Sequence, residues 1–310
     1  MRKMRILIYG AGVLGCNLAN DLFRSGKDVT LLARGKWAEE INKNGLCIKN
    51  TFSLMPTTTH IPVIDELKKD DIYDVIFVIV RYTQLDSVIK PILENGSKNI
   101  VLVGNNVRAD YYRNLLASKN VMFAFYMTAG ERRNGRVESI DTKKIKIGQL
   151  CDSPSNEKFI REIFDKTKCK VDYEPNMGDY LLSHAAFVIP TAFICYYSGG
   201  DLHKLKNNTE ILNRLIDANI EGYRAVEKSG HEILPTSDKN YESDKYRRFC
   251  MRFFKFMFAT NLGKICASTH AFNAAEEISA LNRDIKQLFA KTDVKLDAWE
   301  SLEKQVQKYL

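Results

Sequence analysis

The sequence predicts an α/β domain built on a doubly wound parallel sheet, followed by an all-α helical domain. Strand-like and helix-like segments alternate over the first hundred residues, which is typical of a sheet with helices on both faces. One segment, YDVIFVIV at 73–80, is the continuous apolar run of a strand buried on both faces. From about Tyr173 the pattern is helical almost to the end, which predicts a helical bundle.

The elements of the first domain follow one another along the chain. We expect strands at Arg5–Tyr9, Val29–Ala33, Tyr73–Val80 and Asn99–Val103, and helices at Val13–Arg24, Lys36–Asn44 and Gln84–Leu93. Alternating segments between residues 119 and 149 predict antiparallel strands that extend the sheet. The polar segment DYEPN at 172–176 punctuates the chain. We therefore place the domains at residues 1–172 and 173–310.

The composition is that of a globular protein with an excess of positive charge. At 310 residues the chain is long enough for two cores. The net charge of +8 and the pI of about 9.0 favour an anionic partner. That partner could be a phosphorylated cofactor, an acidic substrate, nucleic acid or an anionic membrane surface, and the charge alone does not choose among them.

The cysteines and the apolar runs predict a cytoplasmic protein. The seven cysteines are scattered without a CxxC or Cys/His cluster, so we expect neither a disulfide framework nor a metal site. The apolar run near the N-terminus is too short for a signal peptide. The longest apolar run, Leu181–Tyr197, is interrupted by Ser183, His184 and Pro190, as in a buried core helix rather than a membrane span.

A glycine-rich turn follows the first predicted strand and opens the first helix. Gly10-Ala-Gly12-Val-Leu-Gly15 matches GxGxxG in the context that dinucleotide binding requires. The first glycine permits a tight turn, the second lets a pyrophosphate approach, and the third lets helix and strand pack closely. A plain glycine turn is the less favoured alternative. We therefore expect a dinucleotide to bind at Gly10, Gly12, Val13, Leu14 and Gly15.

The residues after the second strand select the dinucleotide. Folds that prefer NAD carry Asp or Glu at this point to bind the ribose hydroxyls. Here the strand ends in VTLLARGK, which places Arg34 and Lys36 there. Cations suit the 2′-phosphate of NADP, although two solvated surface cations are the alternative. The sequence therefore predicts NADPH as the cofactor.

Several segments together resemble the ketopantoate reductase (2-dehydropantoate 2-reductase) family over roughly residues 1–150. They are the early GxGxxG, LLARGK, NGLCIK at 44–49, YDVIFVIVRYTQLDSVI, VLVGNNVRA at 101–109, and AGERRNGRV and IKIG within 129–148. The resemblance implies a Rossmann-type domain that binds NADPH and a helical domain that closes over the substrate. It also implies catalysis in the cleft between the domains.

The resemblance assigns further residues of the first domain to the cofactor. Arg34 falls at the position of the family's 2′-phosphate arginine. Arg81 stands where the family has a lysine near the cofactor, and the two side chains are not interchangeable. Asn105 matches the asparagine of a Gln-Asn-Gly turn, although both of its neighbours differ.

The second domain departs from the family's pattern. The family carries a catalytic lysine, then two asparagines that hold the substrate, then a Pro-x-Thr-Ala signature. Counting back from Thr191-Ala192 puts Tyr180 at the lysine, His184 at the first asparagine and Val188 at the second. No lysine lies between residues 170 and 204. The usual proton donor is therefore missing from its position.

Three residues of the second domain become candidates for catalysis. His184 suits a general acid, because imidazole has a reference pKa near 6.5 and phenol one near 10. Tyr180 is four residues earlier and shares its helix face. Glu277 in AAEEISAL matches the family's substrate-contacting glutamate. The alternatives are a hydrogen-bonded core histidine, an amphipathic boundary tyrosine and a glutamate on a surface helix.

The segment KYRRFCMRFFKFMF at 245–258 is basic and aromatic at near-helical spacing. A membrane-surface or nucleic-acid patch is one interpretation. We favour a helix whose aromatic residues lie in the core of the bundle and whose cations lie outside it. We therefore expect neither nucleic acid nor a membrane as partner, and leave a homodimer open.

These observations predict an NADPH-dependent reductase of a small anionic 2-keto acid, with 2-dehydropantoate as the default substrate. A relative that reduces a different carbonyl compound is the second hypothesis, with His184 as the acid. The third is a protein that binds NADP without catalysis and acts as a sensor.

Overall fold

The structure, a computed structural model, describes residues 3–51, 53–260 and 263–310. It divides into two compact units. The first unit comprises the chain up to Gly104 together with Arg108–Met177. The second comprises Asn105–Val107 and Gly178–Leu310. The division of the chain into domains of residues 1–172 and 173–310 stays a prediction.

The first unit contains one ten-stranded sheet. Its strands are β1 Arg5–Tyr9, β2 Asp28–Leu32, β3 Leu46–Asn50, β4 Thr57–Thr59, β5 Val63–Ile64, β6 Val75–Val78, β7 Asn99–Val103, β8 Asn120–Arg133, β9 Arg136–Gly148 and β10 Lys170–Glu174. Their order in the sheet is β4-β3-β9-β8-β7-β6-β1-β2-β5, with β10 paired to β9. The strands from β5 through β2, β1, β6 and β7 to β8 are all parallel neighbours, whereas β8 and β9 are antiparallel.

Helices connect the parallel strands of this sheet. They are α1 Val13–Arg24, α2 Gly35–Asn44, α3 Leu85–Glu94, α4 Ala109–Leu115 and α5 Pro154–Ile163. α1 buries Leu18 and Leu22 in the same apolar core as Ile6 and Ile8 of β1. The chain passes from β1 to β2 on one side, while β6 pairs on the other side of β1. The strand order thus reverses at β1, and open α/β sheets bind ligands beyond the carboxyl ends of the strands at such a point.

The predicted fold class is confirmed, and some elements are additional. β4 and β5 are only three and two residues long, so no alternation of side chains could mark them. β10 includes part of DYEPN, because its backbone continues the sheet in parallel register beside β9. Its side chains are only partly buried or exposed, which explains why its sequence looks like a linker.

The second unit is helical. It contains α6 Met177–Tyr197, α7 Thr209–Lys228, α8 Asp244–Ala259, a π-helical turn at Lys264–Thr269, α9 His270–Asn273, α10 Ala275–Phe289 and α11 Asp297–Gln305. Trp299 is fully buried, and its ring packs edge-on against Phe193 and Phe289. Among the described residues α6 alone has the length and mean hydropathy of a membrane span, and 78% of its apolar window is buried in the protein.

α8 only partly matches the interpretation of its sequence. Phe254 and Phe258 are buried, as expected of aromatic residues in the bundle. Phe249 and Phe256, however, are each 61% exposed, and Phe253 is 37% exposed. The prediction that the aromatic residues of this helix lie in the core is therefore wrong for these three. The sixteen-residue helix α8 carries its aromatic side chains on more than one face, so a single packed face cannot cover them all.

Candidate functional site

The glycine turn between β1 and α1 has a different steric role at each glycine. Gly10 has a φ of +120°, and a Cβ added there would collide with the carbonyl oxygen of Ile79. A Cβ at Gly15 would collide with the carbonyl oxygen of Gly10. At Gly12 a Cβ would meet no atom within 4 Å. Gly10 and Gly15 thus let the chain pack closely, while Gly12 borders open space.

The N-terminus of α1 faces that open space with its positive end uncapped. Gly12 is the N-cap and offers no side chain, and the first turn of α1 contains no acidic residue. The first backbone N–H groups of a helix lack partners within the helix and favour an anion. The backbone at Val13, Leu14 and Gly15 therefore suits a phosphate group.

Arg34 lies just beyond the carboxyl end of β2, and its guanidinium is held in place. Its Nε donates to the carbonyl oxygen of Asp65 at 3.2 Å, and its Nη2 donates to the hydroxyl oxygen of Tyr9 at 3.2 Å. Both Arg34 and Lys36 are exposed. A guanidinium has five N–H groups, so these two bonds leave others available to an anion. This region fits a cofactor that carries a 2′-phosphate on its ribose.

Trp37 was not predicted as part of this site. Its indole Nε1 donates to the carbonyl oxygen of Ala11, inside the glycine turn, at 3.0 Å. The guanidinium of Arg132 lies 5.4 Å from the centre of the tryptophan ring, within the range of a cation–π contact. Trp37 therefore ties α2 to the turn and brings another cation near it. In the sequence, only its position three residues after Arg34 could have indicated that Trp37 lies near this site.

Arg81 and Gly104 follow the next two strands along the sheet. Arg81 is exposed after β6, and its backbone N–H donates to Gln84 Oε1 at 3.3 Å. Gly104 follows β7 with a φ of +127°, and no atom would contact a Cβ there. Because β1, β2, β6 and β7 are parallel, their carboxyl ends meet at one edge of the sheet. That edge brings together the predicted cofactor residues of the first unit.

Asn105 and Glu277 contact each other within the second unit. Asn105 Nδ2 donates to Glu277 Oε1 at 3.2 Å, although 172 residues separate them. Glu277 is only 8% exposed, on the first turn of α10, which does not fit the alternative of a glutamate on a surface helix. The Oδ1 atom of Asn105 is buried without a hydrogen-bond partner among the described residues. A buried carbonyl oxygen of this kind fits a donor on a bound ligand.

Tyr180 and His184 lie on one face of α6, as the spacing predicts. Their rings are nearly parallel, with an interplanar angle of 15° and centres 6.1 Å apart. Tyr180 is 6% exposed and His184 is half-buried. The phenol is therefore largely enclosed, whereas part of the imidazole remains accessible.

The first turns of α6 are fixed by contacts that the sequence did not reveal. His231 Nδ1 lies 2.7 Å from Asp179 Oδ1, and the backbone N–H of Glu232 donates to Asp179 Oδ2 at 2.8 Å. The backbone N–H of Leu234 donates to the hydroxyl oxygen of Ser183 at 3.1 Å. Asp179 and Ser183 flank Tyr180 and His184 in sequence. These bonds hold the helix, and with it both candidate side chains, against the loop after α7.

A cavity of about 160 Å³ lies within the second unit and is bordered by α6 and α8. His184 and Val188 border it, and so do Thr191 and Cys195 further along α6. Phenylalanine side chains supply much of the remaining wall. Burial raises the pKa of the Cys195 thiol to about 12, so this group is neutral at physiological pH. His184 is the imidazole side chain of this wall.

No group of three or more His, Cys, Asp or Glu side chains that could hold a metal occurs among the residues the structure describes.

Comparison with known proteins agrees with this arrangement. Residues 6–151 match the family model described as "Ketopantoate reductase PanE/ApbA". This stretch is therefore similar to the ketopantoate reductase family. The match contains the glycine turn, the Arg34 region and the strands up to β9, and it confirms the resemblance drawn from the sequence.

Two curated 2-dehydropantoate 2-reductases are similar to parts of the chain. The protein from Pyrococcus horikoshii is 44% identical over 62 residues, which are 19% of this chain and 21% of that protein. The protein from Lactococcus lactis subsp. lactis is 24% identical over 184 residues, or 56% of this chain and 58% of that protein. The matched stretches thus span about a fifth and three fifths of these relatives.

Solved ketopantoate reductase structures share the fold of almost the whole chain. The 2-dehydropantoate 2-reductase of Geobacter metallireducens GS-15 superposes with a TM-score of 0.81 and 17% identity, over 99% of this chain and 100% of its own. The ternary structure of D-mandelate dehydrogenase with NADH and anilino(oxo)acetate superposes with a TM-score of 0.77 and 16% identity, over 99% of this chain and 98% of its own. The helical domain, which the family model does not reach, therefore has the family's fold.

Proposed function

We propose that the protein is an NADPH-dependent reductase that converts a small 2-keto acid to the 2-hydroxy acid. The match of residues 6–151 to the ketopantoate reductase family model supports oxidoreductase chemistry. The observation that carries the choice of NADPH is Arg34, held by Tyr9 and Asp65 beyond β2 where an NAD-preferring fold has a carboxylate. The NADH-bound dehydrogenase of similar fold is the reason to test both cofactors.

The glycine turn, Arg34 and Lys36 would hold the phosphates of the cofactor. Gly12 gives the pyrophosphate access to the N–H groups of α1, and Arg34 with Lys36 binds the 2′-phosphate. Bound NADPH would supply the hydride for reduction of the substrate carbonyl. Arg81, exposed after β6, is positioned for an anionic group of the cofactor or for the substrate carboxylate.

The helical unit would supply the proton and hold the substrate. A carbonyl that gains hydride becomes an alkoxide and needs a proton, and His184 Nδ1 or Nε2 can donate one near neutral pH. Tyr180, stacked beside the imidazole, limits the rotation of its ring. Asn105 turns its Nδ2 to Glu277 and its Oδ1 away from it, so that Oδ1 can accept a hydrogen bond from a ligand.

The test is NADPH oxidation with a panel of 2-keto acids that includes 2-dehydropantoate and pyruvate, repeated with NADH. We expect turnover with NADPH and a preference for NADPH over NADH of at least tenfold in kcat/KM. Reduction of a carbonyl compound outside the 2-keto acids would favour the second hypothesis. Tight NADPH binding without turnover of any member of the panel would refute the reductase and favour a sensor.

A further inference from the structure

The cavity between α6 and α8 has the size and lining of a site for one aromatic ring. A cavity of about 150 Å³ lined by Leu, Ile and Phe stays dry and binds benzene, and this one measures about 160 Å³. Aromatic rings enclose part of it. Phe187 stacks on Phe254 with ring centres 5.6 Å apart, and Phe253 packs on both.

The wall offers little to a polar or charged group. Thr191 donates its hydroxyl hydrogen to the carbonyl oxygen of Phe187 at 2.8 Å, so this hydrogen is already used. The Cys195 thiol is fully buried and a weak hydrogen-bonding group. A ligand hydroxyl placed here would lose its water without a good replacement, which costs free energy. An apolar group would gain by leaving water.

One reactive side chain stands at this cavity. His184, Val188, Thr191 and Cys195 are spaced along α6 at intervals of four, three and four residues, so they form one face of the helix. All four line the cavity. A substrate whose carbonyl oxygen meets His184 can therefore extend its side chain along Val188 towards the phenylalanine rings.

We propose that this cavity binds the side chain of the substrate and selects 2-keto acids that bear an aryl group over hydroxylated ones such as 2-dehydropantoate. The proposal rests on the proposed reductase function for its reaction, but the binding site itself can be measured without turnover. The polar end of the substrate, its carboxylate and keto group, lies at His184, while the ring fills the apolar space. Aromatic pairs in such a space gain additional stability from edge and stacked contacts.

The binding test compares anilino(oxo)acetate with oxamate, which has the same polar end without the ring. Both are titrated calorimetrically into the full chain with NADPH present. Burial of a phenyl-sized group predicts roughly tenfold to hundredfold tighter binding of anilino(oxo)acetate. Equal affinity of the two probes for the wild-type protein would overturn the proposal, and this measurement requires no variant.

A substitution that fills the cavity locates the site. In Val188→Phe the new ring occupies the cavity, so the affinity ratio of the two probes should fall to near one. Val294→Phe, half-buried between α10 and α11 and absent from the cavity wall, adds the same ring as a control and should keep the wild-type ratio. A Val188→Phe protein that binds anilino(oxo)acetate as well as wild type would place the ring elsewhere and overturn the proposal.

Kinetics separate this inference from the proposed reductase function. The expected result is a kcat/KM for phenylglyoxylate at least tenfold above that for 2-dehydropantoate. Faster reduction of 2-dehydropantoate would overturn the selectivity while leaving the reductase intact. If anilino(oxo)acetate binds tightly and Val188→Phe abolishes the preference, yet no keto acid is reduced, the ring site is supported and the reductase fails.

Discussion

Replacing Arg34 by glutamine tests the assignment of NADPH most directly. The change removes the positive charge and leaves a shorter, uncharged polar side chain just beyond the end of β2. The wild-type guanidinium donates one hydrogen bond to Asp65 and one to Tyr9. Its remaining N–H groups are available to a 2′-phosphate. NADH has a hydroxyl at that position, so it should lose little.

The expected loss follows from the number of bonds and from the exposure of the side chain. A hydrogen bond to a charged group contributes about 1.5–3 kcal/mol. Because Arg34 is exposed, solvent and salt screen the pair and favour the low end of that range. One such bond at about 1.5 kcal/mol corresponds to about tenfold in Kd, and two to about a hundredfold. We therefore expect Arg34→Gln to raise the Kd of NADPH by ten- to a hundredfold.

The assay is calorimetric titration with NADPH and NADH at two salt concentrations. The preference for NADPH should weaken with added salt in the wild-type protein, and should depend less on salt in Arg34→Gln, where Lys36 is the remaining cation. Arg24→Gln, an exposed arginine in the last turn of α1, is the matched control and should change neither Kd by more than about twofold. Equal losses for both cofactors in Arg34→Gln would refute the assignment of the 2′-phosphate to this residue.

Three further predictions concern the glycine turn, the candidate acid and the cavity thiol. Gly12→Ala should keep the wild-type Tm but weaken the binding of both NADPH and NADH, and unchanged binding would contradict this. Gly15→Ala should lower the Tm, because its Cβ collides with the backbone of Gly10. His184→Ala should lower kcat by about 10²–10⁴-fold with unchanged NADPH affinity, and unchanged turnover would exclude His184 as the acid. Maleimide at pH 8 should label exposed Cys151 and leave Cys195 largely unmodified, since burial raises the Cys195 pKa to about 12 and only about one thiol in ten thousand is ionised; rapid labelling of Cys195, followed by peptide mass spectrometry, would contradict its burial.

The first domain could be predicted because its signals are local. Each of β1, β2, β6 and β7 is a short apolar run, and all were expected from the sequence. The glycine turn and Arg34 follow directly from the ends of such strands. In a parallel sheet those ends meet at one edge, so finding the strands is enough to gather the cofactor residues.

Contacts between residues distant in sequence could not be predicted in this way. The hydrogen bond from Asn105 to Glu277 spans 172 residues, and no pattern in either segment indicates the other. Trp37 looks like an ordinary helix residue until its indole meets the carbonyl of Ala11. The aromatic wall of the cavity depends on how α6 packs against α8. The near-helical spacing of the aromatic residues in α8 does not indicate which phenylalanine faces inward.

The arrangement of the candidate residues narrows the search for the proton donor. Asn105 is an amide and does not release a proton, and the Glu277 carboxylate accepts a hydrogen bond from it. Tyr180 is almost enclosed, whereas His184 is half-buried and lines the cavity, so its imidazole is the more accessible of the two rings. Because no lysine lies between residues 170 and 204, the proposed reduction would need another proton donor, and of the two rings on this face of α6 we propose the more accessible, His184.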